Sequence, residues 1–210
     1  RVFALDLLAD ELDAAAAPIG ARAIALDVSA PADVARAFET IVAEAGRIDV
    51  LANVAGIIRE QPIEATTDDV WNAMIGVNLT GTFLCCRAAL PAMRPLGRGA
   101  IINTSSNAGT RGCANEVAYC ASKFGVEGLS RALAIEVAAD GIAVNTVTPG
   151  TPVHTAMSET TYGAEQRAVW RDPGVIAPAY VHLALTADSG PTTVRAWDLV
   201  ERLAKGETAA

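Results

Sequence analysis

The sequence predicts an α/β domain built on a doubly wound parallel sheet. Three observations carry this. Short apolar runs alternate with helical patterns along the whole chain. The runs are near-continuously apolar, as strands covered on both faces require. Each run ends in small or polar residues, and all of these ends fall on the one sheet edge where such folds bind ligands. A chain of 210 residues suits a single domain, 1–210, rather than two large ones.

The elements follow in order. Arg1–Leu5 reads as a strand and 8–17, rich in Ala, Leu and Asp, as a helix. Ala21–Leu26 is the next strand. Pro31 stands where a first helical turn begins, and that helix runs to about Ala45. Ile48–Ala52 is a buried strand. Thr66, Thr67 and Asp68 are candidate caps for a helix from about Val70 to about Met93. Inside it, Asn78-Leu79-Thr80-Gly81 contains poor helix-interior residues and predicts a weakened or kinked turn, either a helix that ends and restarts there or a broken turn whose freed carbonyl holds a water. Ala100–Asn103 is a strand, 117–139 a long helix, and Ile142–Val147 a strand that ends at Pro149-Gly150. Residues 151–173 are less regular and form a substrate-covering region. A helix near 174–186, a short strand near 193–197 and a last helical turn or two complete the chain.

Composition narrows the function. The net charge of -8 argues against nucleic acid and against anionic membrane surfaces. Half of the residues are hydrophobic, yet no apolar run approaches the length of a membrane span. The four Cys have neither disulfide nor zinc spacing. Cys85 and Cys86 are adjacent, and Cys113 and Cys120 stand alone. They read as reduced thiols of a cytoplasmic protein with no metal.

Tyr119 and Lys123 are the most informative pair. The chain has two Lys and three Tyr, and these two stand at i and i+4, on one helix face. A cation beside a phenol stabilises phenolate and lowers its pKa, which suits acid/base work on an alcohol or carbonyl. At the strand ends, Asp6 is either a ribose-binding carboxylate or a turn residue. Asp27-Val28 reads as a helix cap or as a contact to an adenine edge. Asn53-Val54-Ala55-Gly56 gives small residues beside a ligand or an ordinary turn. Ser105 and Ser106 offer hydroxyls to a substrate oxygen or are loop serines.

Together these residues resemble the short-chain dehydrogenase/reductase family over nearly the whole chain. The likeness rests on the Asp after a strand, Asp27-Val28, Asn53-Val54-Ala55-Gly56, Asn78 in VNLTGTF, Ser106 in IINTSSNAG, Tyr119-x-x-x-Lys123 and Asn145 through Pro149-Gly150. The spacing of thirteen from Ser106 to Tyr119 selects Ser106 over Ser105. The resemblance implies a Rossmann-like fold and hydride transfer between nicotinamide and a secondary alcohol or ketone. It implies Tyr119 as acid/base, Lys123 holding the nicotinamide ribose and lowering the Tyr pKa, Ser106 polarising the substrate oxygen, and Asn78 anchoring a relay water. It assigns cofactor contacts to Asp6, Asp27, Val28, Asn53, Ala55, Gly56, Thr104, Tyr119, Lys123, Pro149, Gly150, Val153 and Thr155. Asp6 would repel a 2′-phosphate, so NAD is expected over NADP. A homo-oligomer, dimer or tetramer, is expected.

The chain also departs from that pattern. The family opens with a strand and a Gly-rich turn that seats pyrophosphate at a helix N-terminus, and 1–210 contains no such segment. An N-terminally incomplete domain is therefore expected, its missing strand lying between the first and third strands seen here. The alternative function is a non-catalytic remnant unable to bind dinucleotide. Tyr-x-x-x-Lys also serves sugar-nucleotide epimerases and dehydratases, which carry larger C-terminal regions. Thr155 stands six residues after Pro149 instead of five, with Pro152 between, and the C-terminal sequence after Val194 is atypical.

Overall fold

The computed structural model describes residues 1–186 and 193–207. Its strands are β1 (Phe3–Asp6), β2 (Arg22–Ala25), β3 (Val50–Asn53), β4 (Gly99–Thr104), β5 (Ile142–Thr148) and β6 (Thr193–Arg195). Every pairing between them is parallel. Helices fill the connections: α1 (Ala9–Ala16), α2 (Pro31–Ala45), α3 (Asp68–Met74), α4 (Thr82–Met93), α5 (Val117–Glu136), α6 (Ala156–Thr161), α7 (Ala164–Arg167), α8 (Ala177–Thr186) and α9 (Ala196–Ala204). This is the Rossmann-like alternation that the sequence predicts.

The strands fall into two groups, β1–β2 and β3–β4–β5–β6. Strands β4 and β5 are buried almost throughout, whereas β3, paired on one side only, leaves Val50 and Ala52 exposed. What joins the groups is side-chain packing. Val34, Phe38 and Ile41 of α2 share a core with Leu84, Cys85, Ala89 and Met93 of α4 and with Ile101 and Val144 of the larger sheet. A second core under α8 and α9 joins Ile102 and Val147 to Leu183 and Leu199.

Local chemistry explains the boundaries. Pro31 opens α2, where its missing amide hydrogen has no partner to lose. Of the three candidate caps, Thr67 is the one used, its Oγ1 accepting from the Val70 amide at 3.3 Å. The weakened turn around Asn78 is a π-helical segment, 75–81, set between α3 and α4 without breaking the axis. As a result the helical run Asp68–Leu96, 29 residues, is long and apolar enough to cross a membrane by length and composition alone, which corrects the expectation that no run approaches that size. Leu84, Cys85, Cys86, Ala89 and Met93 of this run are buried in the α2–sheet core, the position of a core helix.

Candidate active site

A cleft of about 850 Å³ opens beyond the carboxyl ends of β3, β4 and β5, under the cover of α6 and the segment around Trp170. The long helix α5 delivers Tyr119 and Lys123 to its floor. Tyr119 is 7% exposed and Lys123 3%, and Lys123 Nζ stands 5.7 Å from the Tyr119 ring centre. Ser106, one residue into the turn after Ser105, sets its hydroxyl near the Tyr119 phenol, where it favours the ionised form, and its Oγ accepts from the Ala108 amide at 3.2 Å. Ser105 Oγ instead stands beside Gly109. The residue is buried, and its Oγ finds no hydrogen-bond partner. The spacing argument that chose Ser106 and the geometry select the same hydroxyl.

Lys123 is held from the sheet side, where its ammonium donates to the Thr104 carbonyl at 2.9 Å. The Thr104 hydroxyl pairs with Tyr180 OH at 3.0 Å. Gly56 lies on the other side of the lysine. A Cβ added there would stand 3.3 Å from Asn78 Oδ1 and 3.6 Å from Lys123 Nζ, so the glycine leaves space beside the ammonium that a side chain would fill. Asn78 fixes this wall. Its Oδ1 accepts from the Ile57 amide at 2.8 Å, and its Nδ2 donates to the Ile57 carbonyl at 2.9 Å and to Ser122 Oγ at 3.0 Å. The Asn78 carbonyl, expected to be freed for a water, accepts the Thr82 hydroxyl at 2.8 Å. The π-helical turn thus serves to aim a buried amide at the loop after β3.

Electrostatics departs from one expectation. Burial pushes the Tyr119 phenol up to about 12; the Ser106 hydroxyl opposes this, and Glu116, Cys120 and Cys113 add to it. Burial also pulls the Lys123 ammonium down to about 8. The expected lowering of the phenol by Lys123 is not seen, because desolvation outweighs the attraction at this separation.

The predicted cofactor contacts divide. Thr104, Gly56, Pro149, Gly150, Val153 and Thr155 line the cleft. Thr155 accommodates its shifted position by capping α6 in a reciprocal pair with Ser158. Asn53 does not offer its side chain to the cleft. Its Nδ2 donates to Asn103 Oδ1 at 2.8 Å, and Asn103 in turn donates to Ser130 Oγ at 2.8 Å, a buried polar chain between sheet and α5. Asp27 Oδ1 accepts both the Ser29 amide, at 2.8 Å, and the Ser29 hydroxyl, at 2.7 Å, in a local turn before α2, whose N-cap is Ala30 with no side-chain cap bond, so Asp27 is not the helix cap. Exposed Asp6 accepts the Leu8 amide at 3.0 Å in a turn at the end of β1. Val28 packs against Gly81 of the π-helical segment, and Ala55 is exposed next to Gly56.

Other residues at or beside the cleft had no role assigned from the sequence. Ser122, between Tyr119 and Lys123, links α5 to Asn78. Glu116 accepts from Tyr162 OH at 3.4 Å at the rim, and burial followed by repulsion from Glu60 raises its pKa. An acid one helical turn before Tyr119 was the signal available for it. Tyr162 and Trp170 meet with ring centres 5.0 Å apart. Cys113 and Cys120, read as standing alone, come together with Glu116, their ligand atoms all within 4.8 Å of one another.

Comparisons with known proteins accord with this geometry. A family model described as short chain dehydrogenase matches residues 1–166. D-threitol dehydrogenase of Mycolicibacterium smegmatis is 44% identical over 154 residues, covering 71% of this chain and 59% of that protein. A 3-alpha-(or 20-beta)-hydroxysteroid dehydrogenase of Mycobacterium bovis is 42% identical over 147 residues, 69% of this chain and 56% of that protein. The chain thus spans under two thirds of the length of these relatives. Among solved structures, 3-ketoacyl-(acyl-carrier-protein) reductase from Brucella melitensis complexed with NADH superposes with a TM-score of 0.84 at 27% identity, over 90% of this chain and 83% of that one.

Proposed function

Because the chain belongs to the short-chain dehydrogenase family, we propose that it transfers a hydride between NAD(H) and a secondary alcohol or ketone. The observation that carries this reading is the junction of the Ser106 hydroxyl and the Tyr119 phenol on the cleft floor, with the Lys123 ammonium beside them. The residues on this side fit a nicotinamide riboside, because Gly56, where even a Cβ would crowd Asn78, brings bare backbone up to the Lys123 ammonium on the cleft floor. The dinucleotide, when bound, supplies or accepts the hydride. Tyr119 gives or takes the hydroxyl proton. Ser106 donates to the substrate oxygen and holds the phenol in place. Lys123, still mostly protonated at neutral pH with a pKa of about 8, offers donors to ribose hydroxyls while Thr104 fixes its position. Asn78 holds the backbone at 57 so that the lysine has a constant wall.

Asp6 supports NAD over NADP, since an exposed carboxylate at the end of β1 repels a 2′-phosphate. The relatives' printed names include a threitol, a hydroxysteroid and a ketoacyl substrate, whose shared chemistry is the secondary alcohol or ketone. A homo-oligomer is supported by exposed Phe83 on α4 and Phe124 on α5. Four free thiols accord with a reducing, cytoplasmic setting.

Tyr119→Phe tests the assignment: turnover on a ketone panel should fall by at least about 10²-fold while NAD binding persists. Near-normal turnover would refute the acid/base role. A second reading, a remnant that does not hold dinucleotide, is favoured by the lack of a Gly-rich strand-to-helix turn among the described residues. Calorimetry tests this second reading, which expects little or no heat when NAD is added to residues 1–210; micromolar binding would refute it.

A further inference from the structure

We propose that Cys113, Glu116 and Cys120 form a binding site for a thiophilic divalent cation, zinc foremost, at the rim of the cleft. Sulfur of Cys113, carboxylate oxygen of Glu116 and sulfur of Cys120 lie within 4.8 Å of one another. Zinc bonds of about 2.3 Å to sulfur and about 2.0–2.2 Å to oxygen place tetrahedral donors about 3.5–3.8 Å apart, so each donor moves by about 1 Å or less. Two thiolates and one carboxylate select zinc over magnesium or calcium, which take oxygen ligands.

The segment that carries the donors is held in place. The Asn115 carbonyl accepts the Gln61 amide at 2.7 Å, Cys113 O accepts the Glu116 amide at 3.4 Å, and Glu116 O accepts the Cys120 amide at 2.7 Å. Asn115 takes a left-handed conformation, φ 61°, which turns the chain so that residue 113 faces residue 120. The charges suit a cation. Glu60 adds negative charge beside Glu116, and Arg111 is the positive side chain facing the cluster. Tyr162 OH, donating to Glu116 Oε1 at 3.4 Å, is placed to orient the carboxylate from outside. Cys113 and Glu116 line the cleft, which gives an ion its way in. Three protein ligands leave a fourth position for water, and binding releases the two thiol protons to solvent. The site lies beside Tyr119, whose phenol feels Glu116, Cys120 and Cys113, and its metal binding is read without reference to turnover.

Cobalt(II) serves as a spectroscopic stand-in for zinc. Reduced, metal-free protein should take up one cobalt per chain with thiolate charge-transfer absorption, and zinc should displace it. Cys113→Ser, Cys120→Ser and Glu116→Gln should each weaken zinc binding by more than the roughly 10–100-fold that loss of an outer-shell partner costs, with circular dichroism unchanged. In the unmodified chain, zinc should protect Cys113 and Cys120 from alkylation, read by peptide mass spectrometry, so the test survives a variant that fails to fold. Absence of thiolate absorption, its persistence in the Cys113/Cys120 double variant, or unprotected alkylation would overturn the site.

Discussion

Replacing Lys123 with Met should remove the activity together with a contribution to stability that grows as the pH rises. The ammonium is 3% exposed, and burial lowers its pKa from about 10.5 to about 8. At 1.36 kcal/mol per pKa unit, keeping the charged form in the folded state costs about 3 kcal/mol. Below pH 8 both folded and unfolded chains carry the proton, so the whole cost is present. Between about 8 and 10.5 the folded chain releases the proton first. The unfolded state then binds more protons, and stability rises with pH. By pH 9.5 about 2 kcal/mol of the cost is relieved, still below the range in which tyrosines ionise. Met keeps the length of the stem without the charge but leaves the Thr104 carbonyl without its donor, a loss of about 1–3 kcal/mol. The variant should therefore equal or exceed the wild type by up to about 2 kcal/mol at pH 7, and that difference should shift by about 2 kcal/mol in favour of wild type at pH 9.5. Urea unfolding at the two pH values, without cofactor, measures it. Parallel pH profiles for the two proteins would refute the assignment of a desolvated, protonated lysine.

The neighbouring serines should separate cleanly. Ser106→Ala should lower kcat by about 10²–10³-fold, whereas Ser105→Ala, which removes a buried hydroxyl with no partner, should leave the melting temperature unchanged or raise stability by up to about 1 kcal/mol. Gly109→Ala should destabilise by about 1–3 kcal/mol in thermal unfolding, because its Cβ would lie 2.6 Å from Ser105 Oγ and 3.0 Å from the Lys123 carbonyl. A gain in stability there would refute the close approach. Asp6→Ser should raise the NADP-to-NAD ratio of kcat/KM by about tenfold, the order of one like-charge repulsion near a surface; steady-state kinetics with both cofactors reads it, and an unchanged ratio removes Asp6 from cofactor choice.

Tyr119, Lys123 and Ser106 were legible because their positions depend on local rules. Helix periodicity sets the first two on one face, and the spacing of thirteen to Tyr119 singles out the third. The parallel alternation was legible for the same reason. Asn53 and Asp27 were less so, since a polar side chain at a strand end can turn either way. Here Asn103 and Ser29 lie closer than a ligand would and take those side chains. The water-holding carbonyl at Asn78 required knowing that Thr82 stands one turn on, within reach. Cys113 and Cys120 are too far apart in sequence to suggest a pair until the left-handed Asn115 bends the chain between them. The lowered phenol pKa failed on distance and burial, which no spacing rule contains.

The division of the strands into two groups has a mechanical consequence. Strands β1 and β2 are bonded to each other, and their attachment to the rest runs through α2 lying on α4. A backbone ladder resists shear because many bonds must break together, while packed side chains yield by sliding. Among the described residues the contact of α2 with α4 therefore carries what no strand pairing does, holding β1 and β2 in place against the larger sheet.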